Sequence, residues 1–314
     1  MSEPLVYLNG EMLPASQARL PIYDAGIVQG ATVTEQTRTF RHHPWRLEQH
    51  LDRLFHSLEL AGISIELSRD EFRSISLELV ARNAKLIHPD DDLGLIQFVT
   101  AGEYATYAAG MGRSAQTSPT VCVHTFRLPF ELWAKKMRDG VHLITPSTRQ
   151  VPPECIPPHM KCRSRMHYFL AEQEVRRTDP EAWALLLDAQ GHITETNAAN
   201  FLTVEKGIIV SPRFSATLPG ISRAFVMQLA SQAGIRFEEG EITIARALRA
   251  EEAFLTSTPW CMMPVTRINN TAVMDGKPGP VFRQLLSRWT SAAGTDIKRQ
   301  IDDAAHRLVP TGKA

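Results

Sequence analysis

Hydrophobic and polar positions along the chain fall into blocks whose period changes from two residues to between three and four. The opening LVYLNGEMLP sets Asn9-Gly10 between two apolar runs, the strongest short-range hairpin signal. Residues 31–41 read as a strand on which Thr34, Gln36, Arg38 and Phe40 share one face by the two-residue period. After Pro44 the period lengthens. Leu47, Leu51, Leu54 and Leu58 form the buried stripe of a helix that Gly62 stops. Beside that stripe His50, Arg53 and Ser57 follow at i, i+3 and i+7, a polar stripe whose ordinary reading is a solvated face. A second helix is predicted over about 69–84, with strands near 93–100 and 120–124.

Residues 127–133, with Pro129, read as a connector. Beyond it GVHLITPS is strand-like, and QVPPECIPPH is a loop, because four prolines in seven positions cannot hold a helix. Residues 161–177 are predicted helical up to Asp179-Pro180, and residues 182–212 read as a hairpin. Leu218-Pro219-Gly220 then leads into a helix, ISRAFVMQLASQAGI, followed by a strand near 252–256, a hairpin at 268–273 and a helix from Val281. At roughly 100–200 residues per domain, this pattern predicts an α+β protein of two domains. A small N-terminal domain covers 1–126, a connector 127–136, and a larger domain 137–314.

Composition narrows the function. Hydrophobic residues make up 43% and charged residues 22% of 314, ordinary values for a soluble globular protein. Thirty-four Lys+Arg balance thirty-four Asp+Glu, which argues against a nucleic acid or an anionic membrane as partner. The longest apolar stretches, such as 183–187, fall far short of the ~20 residues of a membrane span. The first residues carry Glu3 and no basic stretch ahead of an apolar core, so no secretory signal is expected and a cytoplasmic protein is. Cys122, Cys155, Cys162 and Cys261 form no CxxC and have no metal-ligand spacing with histidine. Reduced thiols and no metal are expected.

Lysines number eight against twenty-six arginines, and Lys161 stands apart, where the proline-rich loop ends with Arg163 and Arg165 close behind. Nearby cations disfavour the ammonium form, as a Schiff-base lysine requires. In the second half, Leu218-Pro219-Gly220-Ile221-Ser222 puts a glycine and a hydroxyl at a helix N-terminus, a ready phosphate site. Thr256-Ser257-Thr258 adds hydroxyl donors after a strand, and Glu195 supplies a carboxylate in the preceding hairpin. A lysine, a carboxylate, an arginine, a helix N-terminus and a hydroxyl cluster together match the needs of pyridoxal 5'-phosphate.

With these residues in view the chain resembles the class IV, or fold-type IV, pyridoxal-phosphate enzymes. These include branched-chain aminotransferases, D-amino-acid aminotransferases, (R)-selective amine transaminases and aminodeoxychorismate lyases. The resemblance runs through LVYLNGEMLP, YDAGIVQGATVTEQTR, HLDRL, KCRSRMHYFLAEQEV, ITETNAANF, LPGISR and TSTPWCMMPV, nearly the whole chain. It implies that Lys161 forms the Schiff base with the cofactor and moves the proton between substrate and cofactor carbons. It implies further that Glu195 faces the pyridine nitrogen, and that Arg53, Gly220, Ile221, Ser222, Ser257 and Thr258 hold the phosphate end. The implied fold is a small N-terminal α/β domain and a larger cofactor-binding domain with a pseudo-barrel. The implied assembly is a homodimer.

The chain also departs from the family's patterns. A first motif close to DRGFxxGDGVFExxR is matched by Asp24, Gly26, Gly30, Glu35 and Arg38, whereas Ala31, Thr32 and Thr34 replace Asp, Gly and Phe. Thr106 and Ala108 stand where D-amino-acid enzymes carry Arg-x-His, and Ile96 and Phe98 where branched-chain enzymes carry a tyrosine and an arginine. The tyrosine that branched-chain members place soon after the lysine is also missing, with Arg165 or Met166 there and Tyr168 further on. The resemblance places Thr34, Gln36 and Arg38 in the substrate pocket. Arg38, with Arg149 second, is the expected grip on a substrate carboxylate, because a guanidinium offers a bidentate fork. The expected activity is transamination between an amino acid or amine and a 2-oxo acid, branched-chain-like or of unassigned range. An aminodeoxychorismate-type lyase, a D-amino-acid or (R)-amine transaminase and a non-catalytic binding module are the alternatives.

Overall fold

In the computed structural model, which describes residues 3–112, 114 and 118–308, the chain divides into two units. One comprises Met1–Leu128 with Met160–Arg165, the other Pro129–His159 with Met166–Ala314. The division falls inside the expected connector at 127–136. Residues Met160–Arg165, expected in the larger domain, group with the first unit instead.

In the first unit β1 (Leu5–Leu8) turns into β2 (Glu11–Pro14) through Asn9 and Gly10. Both have positive φ, 48° and 97°, the backbone a type I′ turn needs. There follow α1 (Ala25–Val28), β3 (Thr32–Phe40), β4 (His43–Pro44), α2 (Leu47–Ala61), α3 (Arg69–Asn83), β5 (Leu93–Thr100), α4 (Ala105–Gly110) and β6 (Val121–Arg127). A capping box between Ser68 and Glu71 starts α3. The strands form one sheet in the order β2-β1-β6-β5-β3-β4, antiparallel throughout.

Alternation along the strands gives this sheet two different faces. Val33, Leu95, Val99, Val121 and Val123 pack with the leucine stripe of α2 and with Phe72 and Leu79 of α3. Residues of opposite parity make the other face, where Thr34 is opposite Phe98, Phe98 opposite Cys122, and Gln36 opposite Ile96.

The stretch 161–165, predicted as the start of a helix, is not helical: it runs beside β3 at Cys162 and bends at Arg163. Lys161 O accepts from Thr34 N at 2.9 Å, Arg163 N donates to Thr32 O at 2.9 Å, and Cys162 bridges Val33 in antiparallel sense. An edge strand carries unmet N–H and C=O groups, and bonding those of β3 outweighs the helical propensity of five residues.

In the second unit the elements are α5 (Ala134–Asp139), β7 (Val141–Ile144), α6 (Met166–Thr178), β8 (Trp183–Leu187), β9 (Ile193–Thr196), β10 (Asn200–Glu205) and β11 (Ile208–Pro212). After them come α7 (Ile221–Gln232), β12 (Phe237–Gly240), α8 (Ile244–Ala247), β13 (Glu252–Ser257), β14 (Cys261–Ile268), β15 (Thr271–Ala272), α9 (Pro280–Ala293) and α10 (Ile297–Leu308). The single hairpin expected over 182–212 is four strands, β8 to β11. The strand path β10-β13-β14-β7-β8-β9 returns to β10 through a pairing of Asn200 with Glu195, closing a six-stranded barrel. Among the described residues no helix is long and apolar enough to cross a membrane.

Leu51 is fully buried in α2, among the leucines that seat the helix on the sheet. Leu51→Ala is expected to cost about 2–5 kcal/mol of stability, a lost side chain plus the cavity it leaves. Urea unfolding with an unchanged m-value checks it.

Candidate active site

Two polar clusters stand out, one in each unit. In the first, the stripe that reads as solvated in sequence is buried: His50, Arg53 and Ser57 are 1%, 9% and 0% exposed. They face β3 because Glu35, of the same parity as Val33, points toward α2. Arg53 grips Glu35 with both arms of its fork, Nε to Oε2 and Nη2 to Oε1, each at 2.7 Å. His50 Nδ1 lies 3.0 Å from Oε1. Burial alone would raise the Glu35 carboxyl, but the charges and hydrogen bonds of Arg53 and His50 outweigh it and hold it well below the usual carboxylate range. Burial pushes the His50 imidazole down from its ordinary value, against the pull of Glu35. A neutral ring donating from Nδ1 leaves Nε2 as an acceptor, and that buried nitrogen has no hydrogen-bond partner.

The same stripe reaches the lysine. Ser57 Oγ accepts from Lys161 N at 3.1 Å, so α2 and β3 together fix the backbone that carries Lys161. Lys161, Arg163 and Arg165 all come from this segment, which bends at Arg163. With Thr34, Gln36 and Ile96 they line a cavity of about 310 Å³.

In the second unit Glu195 is 8% exposed at the seam of the barrel. Its carboxylate accepts from Tyr168 Oη at 3.0 Å, Asn200 Nδ2 at 3.0 Å, Leu218 N at 3.2 Å and Gln150 Nε2 at 3.4 Å. Asn200 Nδ2 also donates to Leu218 O at 3.0 Å, which ties the approach to α7 to the carboxylate. Gly220 is needed there for space. A Cβ on it would come within 1.9 Å of Asn200 Oδ1. Helix α7 then begins at Ile221 without a side-chain cap, and Ser222 in its first turn is buried. Backbone N–H groups at such an end suit an anion. Opposite Asn200 in the β10–β13 register lies Thr256, whose buried Oγ1 has no hydrogen-bond partner. Ser257 Oγ donates to Ala198 O at 2.6 Å, and Thr258 is half-buried just past the strand.

The first unit thus brings Lys161, Thr34 and Gln36 to one cavity and ties Arg53 to Glu35. The second gathers Glu195, Gly220, Ile221, Ser222, Ser257 and Thr258 around Asn200 and the end of β13. Arg38 is 1% exposed, with Nη2 3.5 Å from Asp92 Oδ2, Nε donating to Thr39 O, and its guanidinium over the Phe40 ring at 3.9 Å; it does not line this cavity. Its ion-pair partner Asp92 is fully buried and comes from the loop before β5. Arg149 is exposed in a loop of the second unit. Sequence reasoning passed over Asn200, which stands in the quoted ITETNAANF, and the cavity-lining roles of Arg163 and Arg165. The period-two spacing K-x-R-x-R was the available signal for the latter.

The sequence profile of amino-transferase class IV matches residues 32–268. A D-alanine aminotransferase of Bacillus licheniformis is 29% identical over 286 residues, 89% of this chain and 94% of its own. The branched-chain-amino-acid aminotransferase-like protein 1 of Arabidopsis thaliana is 28% identical over 285 residues, 91% of this chain and 50% of its own. The chain spans about half the length of the Arabidopsis relatives it matches. The crystal structure of an Escherichia coli branched-chain amino acid aminotransferase superposes with a TM-score of 0.84 at 24% identity, covering 92% of this chain and 94% of that one.

Glu35→Gln keeps the shape and removes the charge that Arg53 faces. At neutral pH it is expected to cost about 3 kcal/mol, the penalty of a broken buried pair. The ionised carboxylate stabilises the fold fully above its unfolded value near 4.5, and that contribution fades as the pH falls below it toward the depressed folded value. The gap between wild type and variant in urea unfolding therefore narrows below about pH 4.5.

Proposed function

Because the chain belongs to the class IV aminotransferases, we propose that it is a pyridoxal-phosphate-dependent transaminase. It moves an amino group between an amino acid and a 2-oxo acid, with the branched-chain-like range that its relatives' names suggest. The observation that carries this reading is Glu195. It is a nearly buried carboxylate oriented by Tyr168, Asn200 and the Leu218 amide, beside a helix N-terminus and an unsatisfied Thr256 hydroxyl. That donor set fits an aromatic cofactor with a basic ring nitrogen at one end and a phosphate at the other.

When bound, pyridoxal phosphate supplies an electron sink for charge developing on the substrate carbon. Glu195 holds the proton on the ring nitrogen. The amides of Ile221 and Ser222, with the hydroxyl of Thr258, bind phosphate oxygens beside Ser257, whose own hydroxyl is held by Ala198 O, and Arg53, oriented by Glu35, adds its positive charge. Lys161 Nζ takes the proton from the substrate carbon and returns it at the other end of the reaction, as a positioned general base does. A cytosolic homodimer belongs to the same reading, as the usual form of the family.

Lys161→Ala is expected to lose the visible absorbance band that cofactor addition gives the wild type, together with all amino-group transfer. Glu195→Gln retains cofactor and lowers kcat about 100–1,000-fold, the scale of one preorganised electrostatic contact. Turnover is measured with L-amino acids, D-amino acids and (R)-amines against pyruvate. A wild-type protein that no donor converts overturns the transaminase reading, and pyruvate release from aminodeoxychorismate would put a lyase in its place.

A further inference from the structure

Tyr168 stands beyond the position where branched-chain members place their tyrosine, and its own unit gives it another partner. It lies in the first turn of α6, where its ring packs on the cluster of Ala171, Val175, Ala184 and Leu186 and meets the His167 ring at 4.1 Å. Held there, its hydroxyl is 3.0 Å from Glu195 Oε1. Gln150 Nε2 is 2.8 Å from the same hydroxyl and 3.4 Å from the same carboxylate oxygen.

Gln150 fixes the direction of these bonds. Its Oε1 accepts from Val151 N at 3.1 Å, so the end of the side-chain amide that meets Tyr168 is the amino group, which can only donate. Its backbone N–H donates to Leu187 O at 3.0 Å, which ties this loop to the end of β8. The phenol oxygen therefore accepts from Gln150 and gives its one hydrogen to Glu195. On the second carboxylate oxygen, Asn200 Nδ2 at 3.0 Å and Leu218 N at 3.2 Å are donors too. An ionised carboxylate accepts all these bonds, whereas a carboxyl proton would turn a donor against a donor.

We propose that Tyr168, oriented by Gln150, is a positioning residue that holds Glu195 in its ionised form and thereby keeps the shared proton on the cofactor's ring nitrogen. This role rests on the pyridoxal-phosphate reading of the cluster. Between a carboxylate and a basic ring nitrogen one proton has two homes. Hydrogen bonds given to the carboxylate stabilise its charged form, and bonds to a charged group are the stronger kind. Each donor therefore tips the proton toward the nitrogen, where its charge makes the ring a better electron sink. Asn200 and the Leu218 amide belong to the barrel seam and the approach to α7; Tyr168 is the donor that α6 adds.

In protein loaded with pyridoxal phosphate, the NMR shift of an isotope-labelled ring nitrogen tells the two homes apart. Tyr168→Phe keeps the ring and its packing and removes the hydroxyl. Its ring-nitrogen signal is expected to move from the wild-type position toward that of unprotonated pyridine, and kcat to fall about tenfold, the worth of one hydrogen bond to a charged group. Gln150→Leu, which frees the phenol hydrogen to turn away, moves the signal the same way by less. Glu195→Gln marks the far end of the scale. Tyr168→Phe added to it moves the signal no further, because the hydroxyl acts through the carboxylate. An unmoved signal in Tyr168→Phe, even with slower turnover, or a further movement in the double variant would overturn the assignment and leave the transaminase reading standing. Wild-type protein that takes up no pyridoxal phosphate overturns the cofactor reading itself, and this role with it.

Discussion

One residue pair closes the barrel of the second unit, and the arrangement of its polar cluster follows from that closure. Asn200 and Glu195 are the register partners that return β9 to β10. They are also the residues whose side chains bond each other and the approach to α7. A barrel seam made of apolar residues would close equally well. Placing a carboxylate and an amide there gives the seam a charge whose position the ring of strands fixes and whose direction the bonds from Tyr168, Asn200 and the Leu218 amide set. Gly220 completes the constraint by letting the helix start come up against Asn200 where a side chain would collide.

The first unit uses a different device. Its sheet has one apolar face that takes α2 and α3, yet the fully buried Glu35 sits on that face and must be answered. Arg53 and His50 answer it, so the interior there is a paired charge network. Such networks are weak evidence of stability, because desolvation opposes the attraction. Their clearer effect is positional. With Ser57 they give α2 a polar edge that meets the Lys161 backbone, and the lysine is fixed from a helix and from a strand at once. The chain belongs to the class IV aminotransferases and has the fold-type IV architecture.

Much of this was legible in the sequence where the signal is local. Asn9-Gly10 specifies its turn through two positive φ angles, and the leucine stripe of α2 specifies its buried side. Lys161 and Glu195 were named from residue type, order and resemblance. What was not legible depends on partners far along the chain. The polar stripe His50-Arg53-Ser57 looks solvated until Glu35 is known to face it. Arg38 shares its parity with Thr34 and Gln36, and nothing local reveals that Asp92, 54 positions on, pairs with it. The residues after Lys161 have acceptable helical propensity, and nothing nearby reveals that the edge of β3 lacks a neighbour. Barrel closure is likewise a long-range event, so four strands could read as one hairpin.

The lysine's allegiance has an evolutionary and practical side. The short stretch 160–165 belongs by its bonds to the first unit, while the chain before and after it belongs to the second. The unit boundary in space therefore crosses the chain three times, although a linear map of the sequence would cross it once. A fragment cut at the connector would carry Lys161 away from Thr32, Thr34 and Ser57, the groups that hold its segment in shape. The two halves are thus not exchangeable parts: a chimera joining the first 128 residues of one relative to the remainder of another must match a strand edge and its borrowed lysine segment across the splice.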